Sequence, residues 1–271
     1  MIGASREALA AARENLESLT DSTSVDAVRL GEELSAVTTL LDREVSLRRV
    51  LTDPARSGQD KATLVGSLLT GQVSGETVDL VSGLVRSRWS SPRDLADATE
   101  QLASYAEVIA ADKSGALDDV EDELFRFGRV VAGSAELRAA LSEPKAGPAA
   151  KAELVRSLLG GRANPATVRL VVALVSHPRG RSLEQGLETY SKLAASRRGR
   201  VVALVTTAVP MSEGQRGRLA GALARIYGRQ VHLNIDIDPE VLGGVRVEIG
   251  DEIIDGTVAS RLEGARQGLE G

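Results

Sequence analysis

The chain has 271 residues and a net charge of −5, with 33 Lys+Arg against 38 Asp+Glu. Two or three domains with their own cores fit in that length, and no dominant basic face suits nucleic acid. Cysteine is absent, which excludes disulfides, thiol catalysis and cysteine-bound zinc, and aromatics are only 2% of residues, so Leu, Val, Ile and Ala must build the cores. The N-terminus does not read as a secretory signal. No apolar run approaches the roughly 18 residues of a membrane span.

Residues 5–19 read as a helix that Ser5 can cap, with Leu9, Ala12, Leu16 and Leu19 on one face. A longer helix then carries Leu30, Leu34, Val37 and Leu41 until Asp53-Pro54 breaks it. Short helices follow near 59–70 and 75–86, and Ser91-Pro92 opens another that runs through Leu95, Leu102 and Tyr105. Trp89, near a helix end, reads as a local core plug or partial cap, with a partner hot spot as the alternative.

The pattern then restarts 90 residues on. Leu47, Arg48, Leu51, Pro54, Lys61, Leu64, Val65, Gly71, Thr77, Leu80, Val81, Leu84 and Val85 all recur, within 18 identities over positions 47–85. Most are apolar at helical spacing with Pro and Gly as punctuation, which marks an internal duplication. Two copies are too few for a solenoid, so the expectation is two helical bundles, at about 1–104 and 105–198. The last helix of the first copy should run into the first helix of the second near Tyr105, as a stiff joint.

A C-terminal unit, 199–271, reads as strand, helix, strand, hairpin, helix. Val201–Val205 is a β-run, and Ser212 with Gln215 has capping-box spacing. Leu219, Leu223 and Ile226 form the stripe of the helix that follows, and Gly228 stops it. Val231, Leu233, Ile235 and Ile237 then alternate with polar residues, as do Val245, Val247 and Ile249. Pro239 ends the first of these strands, Gly243-Gly244 permits unusual backbone angles, and Gly250-Asp251 supplies a turn into a short strand at 252–254. Asp255-Gly256-Thr257 opens a last helix with Val258, Leu262, Ala265 and Leu269 on one face. The fold class is therefore mainly α, two duplicated helical bundles followed by a small α/β domain.

The order Pro239, Leu242, Gly243, Gly244, Gly250, Asp251, Asp255, Gly256, Thr257, Val258, Arg261, Leu262 resembles the C-terminal signature of the delta subunit of bacterial F-type ATP synthase. The oligomycin-sensitivity-conferring protein is the mitochondrial relative of that family. The segment Val209-Pro210-Met211-Ser212-Glu213 and the element order from Tyr105 onward match the family as well, while residues 1–104 are surplus to it. The resemblance implies a non-catalytic subunit of the peripheral stalk at the cytoplasmic face of a bacterial membrane. It also implies that the helical bundle takes an amphipathic N-terminal helix of an alpha subunit of the catalytic head. The C-terminal domain would engage a b-type stalk subunit, with no nucleic-acid partner, no cofactor, and the membrane reached only through the complex. On that basis Tyr105, Ile109, Val171, Leu174 and Val175 are the expected groove residues of the second bundle. That bundle is expected to bind more tightly than the first, because Ser82-Gly83 replaces Val172-Ala173 in the first copy.

Enzymatic chemistry finds little support. There are two histidines, His177 before a proline and His232 on the polar side of a strand, and no phosphate-binding loop sequence. Asp236–Glu240 resembles a calcium loop only faintly, with Val241 and Val247 where Gly and Glu belong. The acid run Asp118, Asp119, Glu121, Asp122, Glu123 reads as a solvated first helical turn or a dock for a basic partner, and Arg197, Arg198 and Arg200 as a solvated linker rather than a phosphate site. On residues 165–176 apolar side chains lie nearly all round, so surplus apolar surface there must meet another domain, the duplicate copy or a partner helix. Two other readings stay open: a helical-repeat scaffold of an unrelated complex, and an enzyme using carboxylates such as Asp236 and Glu240.

Overall fold

The computed structural model describes residues 1, 3–22, 25–197, 201–228, 231–239, 241, 243–249 and 252–255. Eleven helices come first: α1 (Ala4–Ser22), α2 (Ala27–Arg43), α3 (Val45–Thr52), α4 (Gly58–Leu69), α5 (Gly75–Arg86), α6 (Pro92–Lys113), α7 (Leu117–Gly133), α8 (Ala135–Ser142), α9 (Pro148–Leu159), α10 (Pro165–Ser176) and α11 (Leu183–Arg197). Then come β1 (Val201–Thr207), α12 (Glu213–Tyr227), β2 (Val231–Ile237), β3 (Val245–Ile249) and β4 (Glu252–Asp255). The expected mainly α fold with a small α/β unit is what forms.

The duplication is carried into geometry. Shifting α2, α3, α4 and α5 by 90 residues reproduces the bounds of α7, α8, α9 and α10. The same shift puts α1 on 94–112, inside α6. Helix α6 thus closes the first copy and opens the second, and it runs unbroken across residues 104 and 105. A helix shared in this way is buried on several sides. Ala96, Ala98, Ala103, Ala106 and Ala111 are at most 4% exposed beside Leu95, Leu102, Val108 and Ile109. The buried residues of both copies therefore form one continuous cluster rather than two separate cores. Small side chains let neighbours approach: a Cβ added at Gly31 of α2 would lie 3.3 Å from the Ala103 carbonyl oxygen.

Local signals explain most helix ends. Ser57, Ser74 and Ser91 accept N-terminal backbone N–H groups of α4, α5 and α6, and Pro92 takes the first position of α6. Trp89 packs on the core and its Nε1–H donates to the Leu84 carbonyl at 2.8 Å, so it caps α5. Three expectations change. Ser5 does not cap α1; it is buried, donates to Asp94 at 2.7 Å and accepts from the Ser90 amide, tying α1 to the start of α6. The long helix breaks at Glu44, before Pro54, and Arg48 reaches back to the Leu41 carbonyl at 2.8 Å. Arg138 does the same for Ala132 at 2.6 Å, so the break is duplicated too. Arg197 is no solvated linker residue: its guanidinium is 15% exposed and lies 3.0 Å from Asp112. Arg198 and Arg200 lie outside the described residues.

The sheet order is β2-β1-β3-β4, with β1 parallel to β2 and antiparallel to β3, and β3 antiparallel to β4. Helix α12 makes the parallel crossover, opened by the expected capping box at Ser212 and Gln215 and ended by Gly228 at φ 65°. Alternation holds except at Ile237, which is 45% exposed at the end of β2: Ala203, Val205, Val247 and Ile249 are buried with Leu223, and Leu219, Leu233 and Ile235 pack against them. Ile226 departs from its expected stripe and is 68% exposed, its place on the core side taken by Tyr227 and Met211. On the opposite sheet face Leu204, Asn234 and Glu248 line a cleft shared with α7 and α11, and Asp236 pairs with Arg129 of α7 at 2.5 Å.

Of the signature, Pro239, Gly243 and Gly244 are described, as is the backbone of Asp255. Leu242, Gly250, Asp251, Gly256, Thr257, Val258, Arg261 and Leu262 lie outside the described residues, as does the expected last helix. Gly243 and Gly244 have φ of 65° and 86°, in the left-handed region where a β-branched side chain is strained. Gly244→Val is therefore expected to destabilise the sheet by about 1–3 kcal/mol. Hydrogen exchange at the β3 amides checks it, and protection equal to wild type would contradict it.

Candidate docking grooves and the joint between the copies

Tyr105, Ile109, Val171, Leu174 and Val175 are all buried, none more than 5% exposed. The Tyr105 hydroxyl donates to Glu17 of α1, and Arg13 stands 5.6 Å over its ring. Burial, then the Glu17 carboxylate, pushes that hydroxyl up to about 12. Leu174 packs on α11 where Gly186 has no side chain; a Cβ there would fall 2.2 Å from Leu174 Cδ1. As the chain is folded, these five positions are core.

Of their counterparts 90 residues earlier, Val81, Leu84 and Val85 are equally buried, while Asn15 is exposed and Leu19 half-buried. Asn15, Leu19 and Leu84 correspond to Tyr105, Ile109 and Leu174, and all three line an open cleft of about 240 Å³ between α1 and α5. Its walls include Ala8, Ala11, Ala12, Leu80 and Gly83, with Glu76 and Asp79 beside them. A Cβ at Gly83 would meet nothing within 4 Å. In the second copy the corresponding face of α10 lines a cleft whose α6 wall is a different face, Glu100, Ala103, Ser104 and Glu107, and which has α2 of the first copy as a third wall. The remaining cleft, about 360 Å³, holds Ala36 and Thr39 of α2 opposite Val168, Val172 and Ala173 of α10. The surplus apolar side of α10 thus faces the duplicate copy. At the floor Arg169 clasps Glu107 at 2.8–2.9 Å; burial raises the Glu107 carboxyl although Arg169 acts against it.

The copies are also joined by charge. Arg179, in the loop between α10 and α11, is 8% exposed and reaches Asp42 of α2 at 2.7 Å and Asp97 of α6 at 2.6 Å. Its Nε is 3.5 Å from Glu100, which also accepts from Arg181 at 2.6 Å and Tyr190 at 3.1 Å. His177 Nδ1 lies 3.3 Å from Asp42. Arg179 takes φ 52°, a left-handed angle unusual for a residue with a side chain. His177 is a structural neighbour of this joint: its Nε2 also lies 3.4 Å from the Thr39 hydroxyl, which donates at 3.0 Å to the Ser35 carbonyl within α2.

A second polar device is duplicated. Glu33 of α2 accepts from the Ser74 amide and the Ser74 and Thr77 hydroxyls at the start of α5. Glu123 of α7 accepts from the Asn164 amide and the Thr167 hydroxyl at the start of α10. Burial raises the Glu33 carboxyl, but those hydrogen bonds and Arg29 together bring it down to about 2. The acid run is therefore not all solvated: Glu123 is this clasp and Glu121 is fully buried. The sequence signal was present, a Glu recurring 90 residues on, but it lies upstream of the dense run of identities.

Among the described residues no group of three or more His, Asp or Glu is placed to hold a metal, and no helix is long and apolar enough to cross a membrane. Residues 102–269 match the family model for the ATP synthase delta (OSCP) subunit. The match begins within α6, at the first helix of the second copy. An ATP synthase subunit delta from Streptomyces griseus subsp. griseus is 65% identical over 271 residues, covering all of both chains. One from Thermobifida fusca is 50% identical over 271 residues, again covering all of both. Both relatives thus span the first copy as well. A family model that matches more than half the chain, and full-length relatives of this identity, show that the chain belongs to the ATP synthase delta (OSCP) subunit family, the non-catalytic peripheral-stalk subunits of F-type ATP synthase.

Proposed function

We propose that this chain links the catalytic head of the synthase to a b-type stalk subunit, on the cytoplasmic face of the membrane, and resists rotor torque. Rotor torque would otherwise turn the head and dissipate conformational work. Such a link needs desolvated helix contacts and stiffness, and no titrating residue. The shared α6 and the Arg179 joint supply stiffness.

The observation that carries the placement is the open α1–α5 cleft of the first copy. An amphipathic alpha-subunit helix docks there, because Asn15 and Leu19 are left exposed or half-buried where their counterparts Tyr105 and Ile109 are buried, and α2 stands at the cleft of the second copy. This moves the head contact from 105–198 to the first copy. The C-terminal domain leaves Val209, Ile226, Ile237, Ile253 and Ile254 exposed, apolar surface of the kind a long stalk helix covers. The second reading, docking between α6 and α10, is favoured by the half-buried Val168 and Val172 in their cleft.

Gly83→Glu and Ala173→Glu occupy equivalent positions in the two clefts. With an alpha N-terminal peptide as ligand, Gly83→Glu is expected to weaken binding by about tenfold or more, and Ala173→Glu to leave it near wild type. The opposite ranking assigns the helix to the second copy. No peptide binding by the wild-type chain contradicts both.

A further inference from the structure

A cavity of about 230 Å³ lies where α1 of the first copy and α11 of the second meet across α6. Arg13, Arg181 and Lys192 line it, with Gln101 and Thr189 between them, and no lining residue is a carboxylate. Arg13 has neutral partners only: Gln101 Oε1 at 3.3 Å and the ring of Tyr105. Among the described residues no carboxylate forms an ion pair with it. The Nε atoms of Arg13 and Arg181 are buried and have no hydrogen-bond partner. Glu100, which pairs with Arg181, is shared with Arg179 and Tyr190. The pair Lys192–Glu188 is over 60% exposed on both sides, so solvent screens it.

A part-buried guanidinium without a counter-ion is costly, and an anion beside it relieves that cost. Guanidinium groups bind oxyanions through paired N–H donors, and an ammonium and a side-chain amide add further donors here. We propose that this cavity is a binding site for a small oxyanion of the phosphate type, held by Arg13, Arg181, Lys192 and Gln101. Its volume lies below the several hundred cubic ångströms of pockets that hold drug-sized ligands, so a free anion fits it better than a nucleotide. Because its walls come from both copies, the bound anion cements the joint, and folding is stabilised by mass action.

The test is thermal unfolding of the full chain against inorganic phosphate, with ionic strength held constant by chloride. Wild type is expected to gain stability saturably. Arg13→Gln and Lys192→Gln should each raise the half-saturating phosphate concentration by about tenfold or more. Arg126→Gln, on an exposed face of α7, should not change it. Where Arg13→Gln does not fold, Lys192→Gln decides, since that side chain is mostly exposed. Equal responses in wild type and both variants, or no response beyond chloride, overturn the proposal. ATP saturating at lower concentration than phosphate would overturn the small-anion assignment.

Discussion

Leu174→Asp is expected to unfold the second copy rather than merely weaken a binding surface, with a loss of about 4 kcal/mol or more. Leu174 is 1% exposed and fills the space that Gly186 leaves open on α11. An aspartate there loses the apolar contacts and buries a charge for which the site provides no cation partner among the described residues. A groove role would give a folded protein with poor peptide affinity; a core role gives a lower unfolding midpoint before any peptide is added. Circular dichroism through the thermal transition separates the two. Leu84→Asp, equally buried in the first copy, should behave in the same way. That is why the docking test uses Gly83 and Ala173 instead. A folded Leu174→Asp variant with wild-type stability would restore Leu174 to the groove.

Arg179→Ala is expected to cost about 3 kcal/mol, near the lower end for breaking a buried ion pair. Glu100 is as buried as the arginine, but Asp42 and Asp97 are more than a quarter exposed, and water recovers part of the loss there. For a chain of this size the unfolding midpoint should fall by roughly 6–12 °C. Hydrogen exchange should rise first in the α10–α11 loop and in the end of α2 that carries Asp42. Arg179→Lys keeps the charge but not the fork that reaches several carboxylates, so it should fall between alanine and wild type. A midpoint within 1 °C of wild type for the alanine variant would show that the shared α6 alone holds the copies together.

The two expected outcomes show where pattern reading succeeds and where it stops. Apolar spacing in 165–176 was legible, and so was its surplus, but spacing reports only that a residue is apolar and on a given face. It does not report what covers that face. Val171 and Leu174 are covered within their own bundle, while Val168 and Val172 look across a cleft at α2, and the sequence offers no sign that separates them. Arg179 was invisible for a related reason. Its partners lie 79–137 positions away, and a loop arginine carries no local pattern.

Taken by itself, the sequence determined what depends on neighbours along the chain: most of the helices, the Ser91-Pro92 start of α6, the alternation of β2 and β3, the capping box at Ser212, the 90-residue duplication and the family signature. Those features follow from backbone geometry and side-chain period within a few residues. Only the tertiary structure decided that α6 belongs to both copies, that their cores merge, and that α2 walls the cleft at α10 while the cleft between α1 and α5 has no third helix in its lining. These outcomes depend on which surfaces meet once the chain has folded back on itself. Two copies with the same apolar pattern meet different neighbours: α1 has an open side, whereas α6, its counterpart, is packed against both α1 and α2.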